Sequence, residues 1–306
     1  MSRYIFQRLL SLIPVLFGVS LLVFAILKFV PGDPAQQVAG LDASAEDLEA
    51  IRHQMGLDRP VHVQYLYFVG NALRGDFGRS IRSHRPVVEE LGSRLPNTVL
   101  LTLVAMALAI VLGIGLGVVA ATRQYTLWDS LSMAVAMLGI SVPIFWLGLM
   151  LMLLFAVQLR WLPTAGTGTV WHLVLPALTL GAASSAIIAR QVRSAMLEVL
   201  RQDYVRTATA KGLRHRTVVM RHALANAMIP AVTIIGLQFG YLLAGAVVTE
   251  TVFAWPGVGR LLVDAIKFRD FPVVQATILW LAILFSAVNL AVDLLYGYLD
   301  PRIKYR

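Results

Sequence analysis

The chain has no cysteine, so neither disulfides nor thiolate chemistry contributes to its stability or function. That absence leaves the redox compartment open. Charge is nearly as scarce: Asp, Glu, Lys and Arg make up 14% of 306 residues, against about 25% in a typical soluble domain. The sequence also lacks a GxxxxGK(S/T) motif and cannot cradle nucleotide phosphates in that way. It has no low-complexity tract and no internal repeat at solenoid or propeller spacing. What takes the place of charge is apolar surface, 58% of all residues. A soluble chain of this length could not keep so much of it from water, and composition therefore points to a membrane protein.

Six long stretches carry no Asp, Glu, Lys or Arg: Leu9–Leu27, Leu95–Thr122, Ser130–Leu159, Trp161–Ala189, Ala223–Thr249 and Phe271–Val292. A bilayer-spanning helix needs about 20 mainly apolar residues. The expected fold is therefore an all-α integral membrane protein with six transmembrane helices. Gly113, Gly115, Gly117, Gly236, Gly240 and Gly245 lie in these stretches, where glycine lets helices approach closely. Pro143 should kink the third span. Trp161, Trp171 and Trp255 sit near span ends and read as interfacial aromatics. The first span is too long for a signal-peptide core, and no small-x-small site follows it before Pro31, so it reads as a retained anchor.

Cation placement sets the orientation. Between the fourth and fifth spans, Arg190, Arg193, Arg201, Arg206, Lys211, Arg214, Arg216 and Arg221 face only two acids, Glu198 and Asp203. The termini carry Arg3, Arg8, Arg302, Lys304 and Arg306. These parts are expected in the cytoplasm. The formal charge of +9 is thus a membrane-topology signal, and no nucleic-acid partner is expected. Residues 158–171 and 250–271 are expected outside. Residues 31–94, with seven arginines and nine acids, are placed outside as a small folded cap, with Ser44 capping one of its helices.

Three motifs offer other chemistry and are set aside. Gly115-Leu-Gly117-Val-Val-Ala120 matches a dinucleotide fingerprint but lies inside an apolar run rather than after a strand. Ser141 with His172 would make an intramembrane hydrolase only with a base in reach and an oxyanion donor. His215 and His222 have no third ligand at metal spacing. No catalytic residue and no metal site are expected.

The basic segment contains YVRTATAKGLRHRTVVMRHALANAMIP, Tyr204 to Pro230. Asp203 is expected to cap a helix from Tyr204 to Lys211 that ends at Gly212, with a second helix running from Arg214 toward Pro230. Thr207, Ala208, Thr209 and Ala210 are small, which suits close approach of another protein's backbone, with arginines supplying charge complementarity. A positive-inside loop on lipid headgroups would also explain the arginines, though not the small residues or the glycine break.

This stretch resembles the cytoplasmic EAA-type loop of ATP-binding cassette (ABC) importer permeases, in the form of the dipeptide, oligopeptide, glutathione and nickel branch. The branch pattern YxRTAxAKGL…RHALxNAxIP is met by Tyr204, Arg206, Thr207, Ala208, Ala210, Lys211, Gly212, Leu213, Arg221, His222, Ala223, Leu224, Asn226, Ile229 and Pro230. It departs from the broader EAAxxxG consensus, with Arg206 in place of Glu and Thr207 in place of the first Ala. VPGDPA (Val30–Ala35), QMGLDRP (Gln54–Pro60), GDFGRS (Gly75–Ser80), Glu250–Ala276 and Asn289–Arg302 follow the same branch in order.

The resemblance implies a type-1 importer core at 95–293, including a coupling loop at 190–222. An N-terminal span (1–30) and an extracytoplasmic cap (31–94) precede it, and a cytoplasmic tail (294–306) follows. It implies a non-enzymatic permease subunit in a bacterial-type cytoplasmic (inner) membrane that imports dipeptides or oligopeptides by alternating access, or else glutathione or nickel complexes. Its partners would be a second permease in a heterodimer, two ATPase subunits that bind the ATP and Mg, and an extracytoplasmic solute-binding protein. The chain itself would hold no cofactor. Arg206, Thr207, Ala208, Ala210, Lys211, Gly212 and Leu213 would couple it to an ATPase. Residues 31–94 and Trp255–Asp270 would meet the binding protein. Glu250 and Arg260 are expected at the outer mouth, and Asp293 near the inner end of the last span, paired with a cytoplasmic arginine or taking part in proton coupling.

Overall fold

The computed structural model describes residues 2–29, 35–36, 44–54 and 56–299. Among these residues the secondary structure is helical, with a single isolated bridge between Arg79 and Pro86. The helices are α1 (Ser2–Phe29), α2 (Ala45–Gln54), α3 (Val61–Leu73), α4 (Val87–Thr122), α5 (Leu127–Ser141), α6 (Ile144–Gln158), α7 (Trp171–Leu200), α8 (Asp203–Ala210), α9 (His215–Val252), α10 (Val258–Lys267) and α11 (Phe271–Leu299). Among the described residues five regions are long and apolar enough to cross a membrane, and the broken pair α5 and α6 makes a sixth if counted as one span. The chain divides into two compact units, Met1–Pro96 with Gly257–Ser286 and Asn97–Pro256 with Ala287–Arg306.

In the first unit, α1 lies against α3 through Ser20 Oγ and Tyr65 OH, 2.8 Å apart, and through Phe24, whose ring is 5.5 Å from Tyr65 and 6.1 Å from Phe68. At α2, Ser44 Oγ accepts from Asp47 N at 3.1 Å while Asp47 Oδ2 accepts from Ser44 N at 3.3 Å. This reciprocal cap satisfies helix-start donors as the sequence predicts. The apolar stripe of α10 (Val258, Leu261, Ala265) packs on Val87 and Leu91 of α4 and Val273, Val274 and Ala276 of α11. Asp270, buried just before α11, accepts from Ser80 Oγ and from the backbone N–H of Ile81 (3.2 Å) and Arg82 (3.4 Å).

The second unit is built around α7. At several points a neighbouring helix comes against its backbone, and glycine is what permits that. A Cβ on Gly113 would lie 2.8 Å from Ser185 O, and one on Gly117 2.7 Å from Ala189 O. One on Gly139 of α5 would lie 2.6 Å from Ala182 O, and one on Gly181 of α7 itself 2.7 Å from Ala105 O. Where lipid is as apolar as the side chains, such close packing is the main force joining helices. Gly245 performs a milder version of the task, 3.0 Å from Leu180 Cδ1, and Gly115 has nothing within 4 Å.

Three expectations change. Pro143 does not kink the third span but breaks it: α5 and α6 diverge by 112° at an extended Val142 (φ −92°, ψ 129°). Proline lacks the N–H that would continue the helix and pushes its predecessor out of the α region. The fourth span begins at Trp171, ten residues after Trp161, because Pro163, Gly166 (φ 88°) and Gly168 (φ 140°) lie in a loop whose residues 161–170 are uncharged and which a charge count therefore passes over. Trp255 is not interfacial: it is buried, and its Nε1 donates to Asn97 O at 3.0 Å. Trp161 and Trp171 are exposed.

Candidate coupling site

The segment from Asp203 to Gly212 folds as a short helix between the C-terminal end of α7 and the start of α9. Its N-cap is Gln202 (φ −72°, ψ 149°) with no side-chain capping bond. Asp203 is therefore the first helical residue rather than the cap, and its carboxylate still favours the positive helix start. Thr207 Oγ1 and Thr209 Oγ1 donate back to Asp203 O (2.9 Å) and Val205 O (3.0 Å). These bonds occupy both hydroxyls within the helix. The helix closes where Gly212, at φ 76°, donates its N–H to Thr209 O at 2.9 Å. Glycine takes that left-handed conformation without steric cost.

Burial sorts the expected coupling residues into two sets. Val205 and Ala208 turn inward and pack with Val218 of α9 against Val199 and Leu200 of α7. Arg206, Thr207, Ala210, Lys211, Gly212 and Leu213 are exposed. Ala208 thus anchors the helix to its own chain, and the outward face is formed by the others. The ion pair of Arg206 with Asp203, at 3.7 Å and in solvent, contributes little.

Beneath this helix α9 contains a π-helical turn, Val218–Ala223. Val219 and Ala223 of this turn, with Ala227 beyond it, meet Val192, Ala195 and Met196 of α7 and Ala109 of α4. π-turns are rare and concentrate at functional sites. Read as residues alone, this stretch is indistinguishable from a plain helix.

One arrangement is hidden in the sequence. Arg193, counted there among the loop cations, sits in α7 with two parallel hydrogen bonds to Asp129 of α5: Nε to Oδ1 and Nη2 to Oδ2, each 2.8 Å. Asp129 is buried and also accepts from Tyr125 N at 3.2 Å. The available signal is its isolation: Asp129 is the only acid between Glu90 and Glu198, and a lone acid at a span end requires a partner.

The remaining candidates are dispersed. Glu250 is fully buried and accepts from Thr98 Oγ1 at 2.6 Å, so it is no mouth residue. Arg260 is half-exposed and lies 3.8 Å from Asp264. His172 Nδ1 is 2.9 Å from Thr169 Oγ1 at the start of α7. Among the described residues no group of three or more His, Asp or Glu could hold a metal. The side chain of Asp293 and residues 300–306 lie outside the described residues.

Comparison with known proteins gives a consistent picture. Residues 113–305 match the family described as "Binding-protein-dependent transport system inner membrane component", and residues 1–102 match its N-terminal counterpart. The chain is 49% identical over 306 residues to the glutathione transport system permease protein GsiC of Escherichia coli (strain K12), with 100% of both chains covered. The GsiC of Shigella dysenteriae serotype 1 (strain Sd197) is also 49% identical over full length. Among solved structures, the MetNI methionine ABC transporter in inward-facing conformations matches 69% of this chain and 96% of that chain, with a TM-score of 0.55 at 19% identity. An amino acid ABC transporter matches 70% and 94%, with a TM-score of 0.50 at 16% identity. The two structural likenesses show the fold.

Proposed function

Because the chain belongs to the binding-protein-dependent transport system inner membrane component family, as a permease subunit of the peptide and nickel branch of type-1 ABC importers, we propose that it lines the membrane path for a short peptide. Glutathione, itself a tripeptide, is the first solute to test, since GsiC relatives share 49% of the sequence. Dipeptides and longer oligopeptides come next. Members of this family are multi-pass inner-membrane subunits rather than enzymes.

In this reading the termini and residues 190–222 face the cytoplasm, and residues 31–94 and the 255–270 region face the binding protein outside. The exposed face of α8, with Arg206, Thr207, Ala210, Lys211, Gly212 and Leu213, seats in a separate ATPase subunit. The ATP and Mg belong to that subunit. A second permease completes the pore, because six spans from one chain form only half of it.

ATP drives transport only as far as it binds the two conformations of the assembly with different affinity. The short helix is the contact through which that difference reaches the membrane helices. The observation that supports this reading most is α8 itself: a solvent-facing helix pinned to its own chain by Val205 and Ala208 and ended by a left-handed Gly212. The test is uptake of labelled glutathione and of a dipeptide into vesicles holding the full assembly, with ATP inside. ATP-dependent accumulation of either is expected. Accumulation by this chain without the ATPases would overturn the proposal.

A further inference from the structure

We infer that Asp129 and Arg193 form a positioning strut that makes α5 and α7 move as one body when α8 is displaced, a role that rests on the transport reading above. The rest of the α5–α7 contact is made mostly of small residues: Gly139 against Ala182, and Ala136 against Ala186 and Ala189, with Met133 of α5 partly buried against the same cluster. Such a surface offers few interlocking side chains. It permits close approach but does little to prevent one helix from sliding or rotating on the other.

The ion pair supplies what that surface lacks. Two parallel bonds of 2.8 Å fix the guanidinium plane against the carboxylate and so fix the register of the two helices. Stability alone is a poor reason for such a pair, because apolar replacements of buried ion pairs are often neutral or stabilising. Arg193 stands two helical turns before the end of α7 at Leu200, where the chain turns into α8. Asp129 stands at the first turn of α5 and holds the Tyr125 N–H of the preceding turn as well. Motion arriving at α8 therefore enters α7 along the chain and reaches two further places through one pair of side chains: the start of α5 and the turn that follows α4. From α5 it passes to the break at Pro143 and on to α6.

The test uses the complete assembly in proteoliposomes, measuring ATP hydrolysis and glutathione uptake in the same vesicles. The variants are the apolar double Asp129→Leu with Arg193→Met, and Arg193→Lys, which keeps the charge but loses the fork. Uptake per ATP hydrolysed is expected to fall at least about fivefold in the double variant. A smaller fall is expected in Arg193→Lys, with both assemblies melting near the parent temperature. A merely structural pair would lower hydrolysis and uptake together or leave both unchanged, and either result in both variants overturns the inference. Gly212→Val, which cannot adopt the left-handed φ of 76° without strain, serves as the control for the underlying reading. If it abolishes uptake while the pair variants transport normally, the strut fails and the transport reading stands. If it too transports normally, the coupling role of α8 fails first.

Discussion

Thr98 and Glu250 lie 152 positions apart and meet at 2.6 Å, the Thr98 hydroxyl donating to a carboxyl group that no solvent reaches. Around them Trp255 Nε1 donates to Asn97 O and Asn97 Nδ2 to Pro256 O, each at 3.0 Å. The start of α4's second-unit portion is thereby fastened to the turn that ends α9.

Thr98→Val keeps the side-chain volume and deletes the donor. It is expected to lower stability by about 1–3 kcal/mol, the cost of depriving a buried polar group of a bond. Thr98→Ser should recover most of the loss. Thermal unfolding of the purified chain in detergent checks both, and equal melting of Thr98→Val and parent would refute the assignment.

Asp270 is another buried acid with a defined task. Asp270→Ala removes the acceptor for Ser80 Oγ and for two backbone N–H groups. A cost on the order of 3 kcal/mol is expected, confined to the 79–86 turn, since bonds to charged acceptors are the stronger kind. Arg79, Arg82 and Arg85 lie in that turn, so the readout is trypsin. Cleavage there should accelerate in the variant, while an unchanged digestion pattern would show that the turn holds without Asp270.

The glycines of α4 separate cleanly. Gly117→Ala would place a methyl 2.7 Å from Ala189 O, a backbone atom that cannot swing aside, whereas Gly115→Ala meets nothing within 4 Å. The first substitution should destabilise by about 1–3 kcal/mol. The second should be neutral or stabilising by up to about 1 kcal/mol, because alanine is the better helix former. Melting temperatures of the two variants should therefore move apart, and a common shift would contradict the packing described.

Gly212 is constrained by its backbone angle and not by crowding: its φ is 76°, and a Cβ added there would meet no atom within 4 Å. Gly212→Asn should keep most of the uptake, because Asn tolerates the left-handed region, and Gly212→Val should lose it. Similar uptake by the two variants, at matched membrane levels, would remove the conformational argument.

The outline of this fold is legible because lipid exposure forces long charge-free runs, and those runs mark the spans directly. The interruptions are less legible for the same reason. The loop after α6 carries one charge, Arg160, and none from 161 to 170, so in that part only Pro163, Gly166 and Gly168 mark it as a turn. Glycine content flags Gly113, Gly117 and Gly245 but passes over Gly139, Gly148 and Gly181, which also face close neighbours. Which glycines meet a neighbour depends on which helix faces which, and periodicity within one helix does not carry that. At the coupling segment the chain order Asp203 to Gly212 is readable, yet Ala208 can be assigned inward only once Val218 is placed beside it. Arg193 falls among the loop cations in a charge count, which cannot tell a solvated arginine from one with a buried partner.

The π-turn at Val218–Ala223 inserts a surplus residue into α9. At 3.6 residues per turn, one extra residue amounts to an angular offset of about 100°. The stub carrying His215 to Thr217 and the long apolar rod beyond Leu224 are therefore out of phase by that amount, and each can be aimed at its own neighbours. Removing a single residue from this turn would bring the rod back into step and swing the stub, with the left-handed glycine ahead of it, to a different bearing.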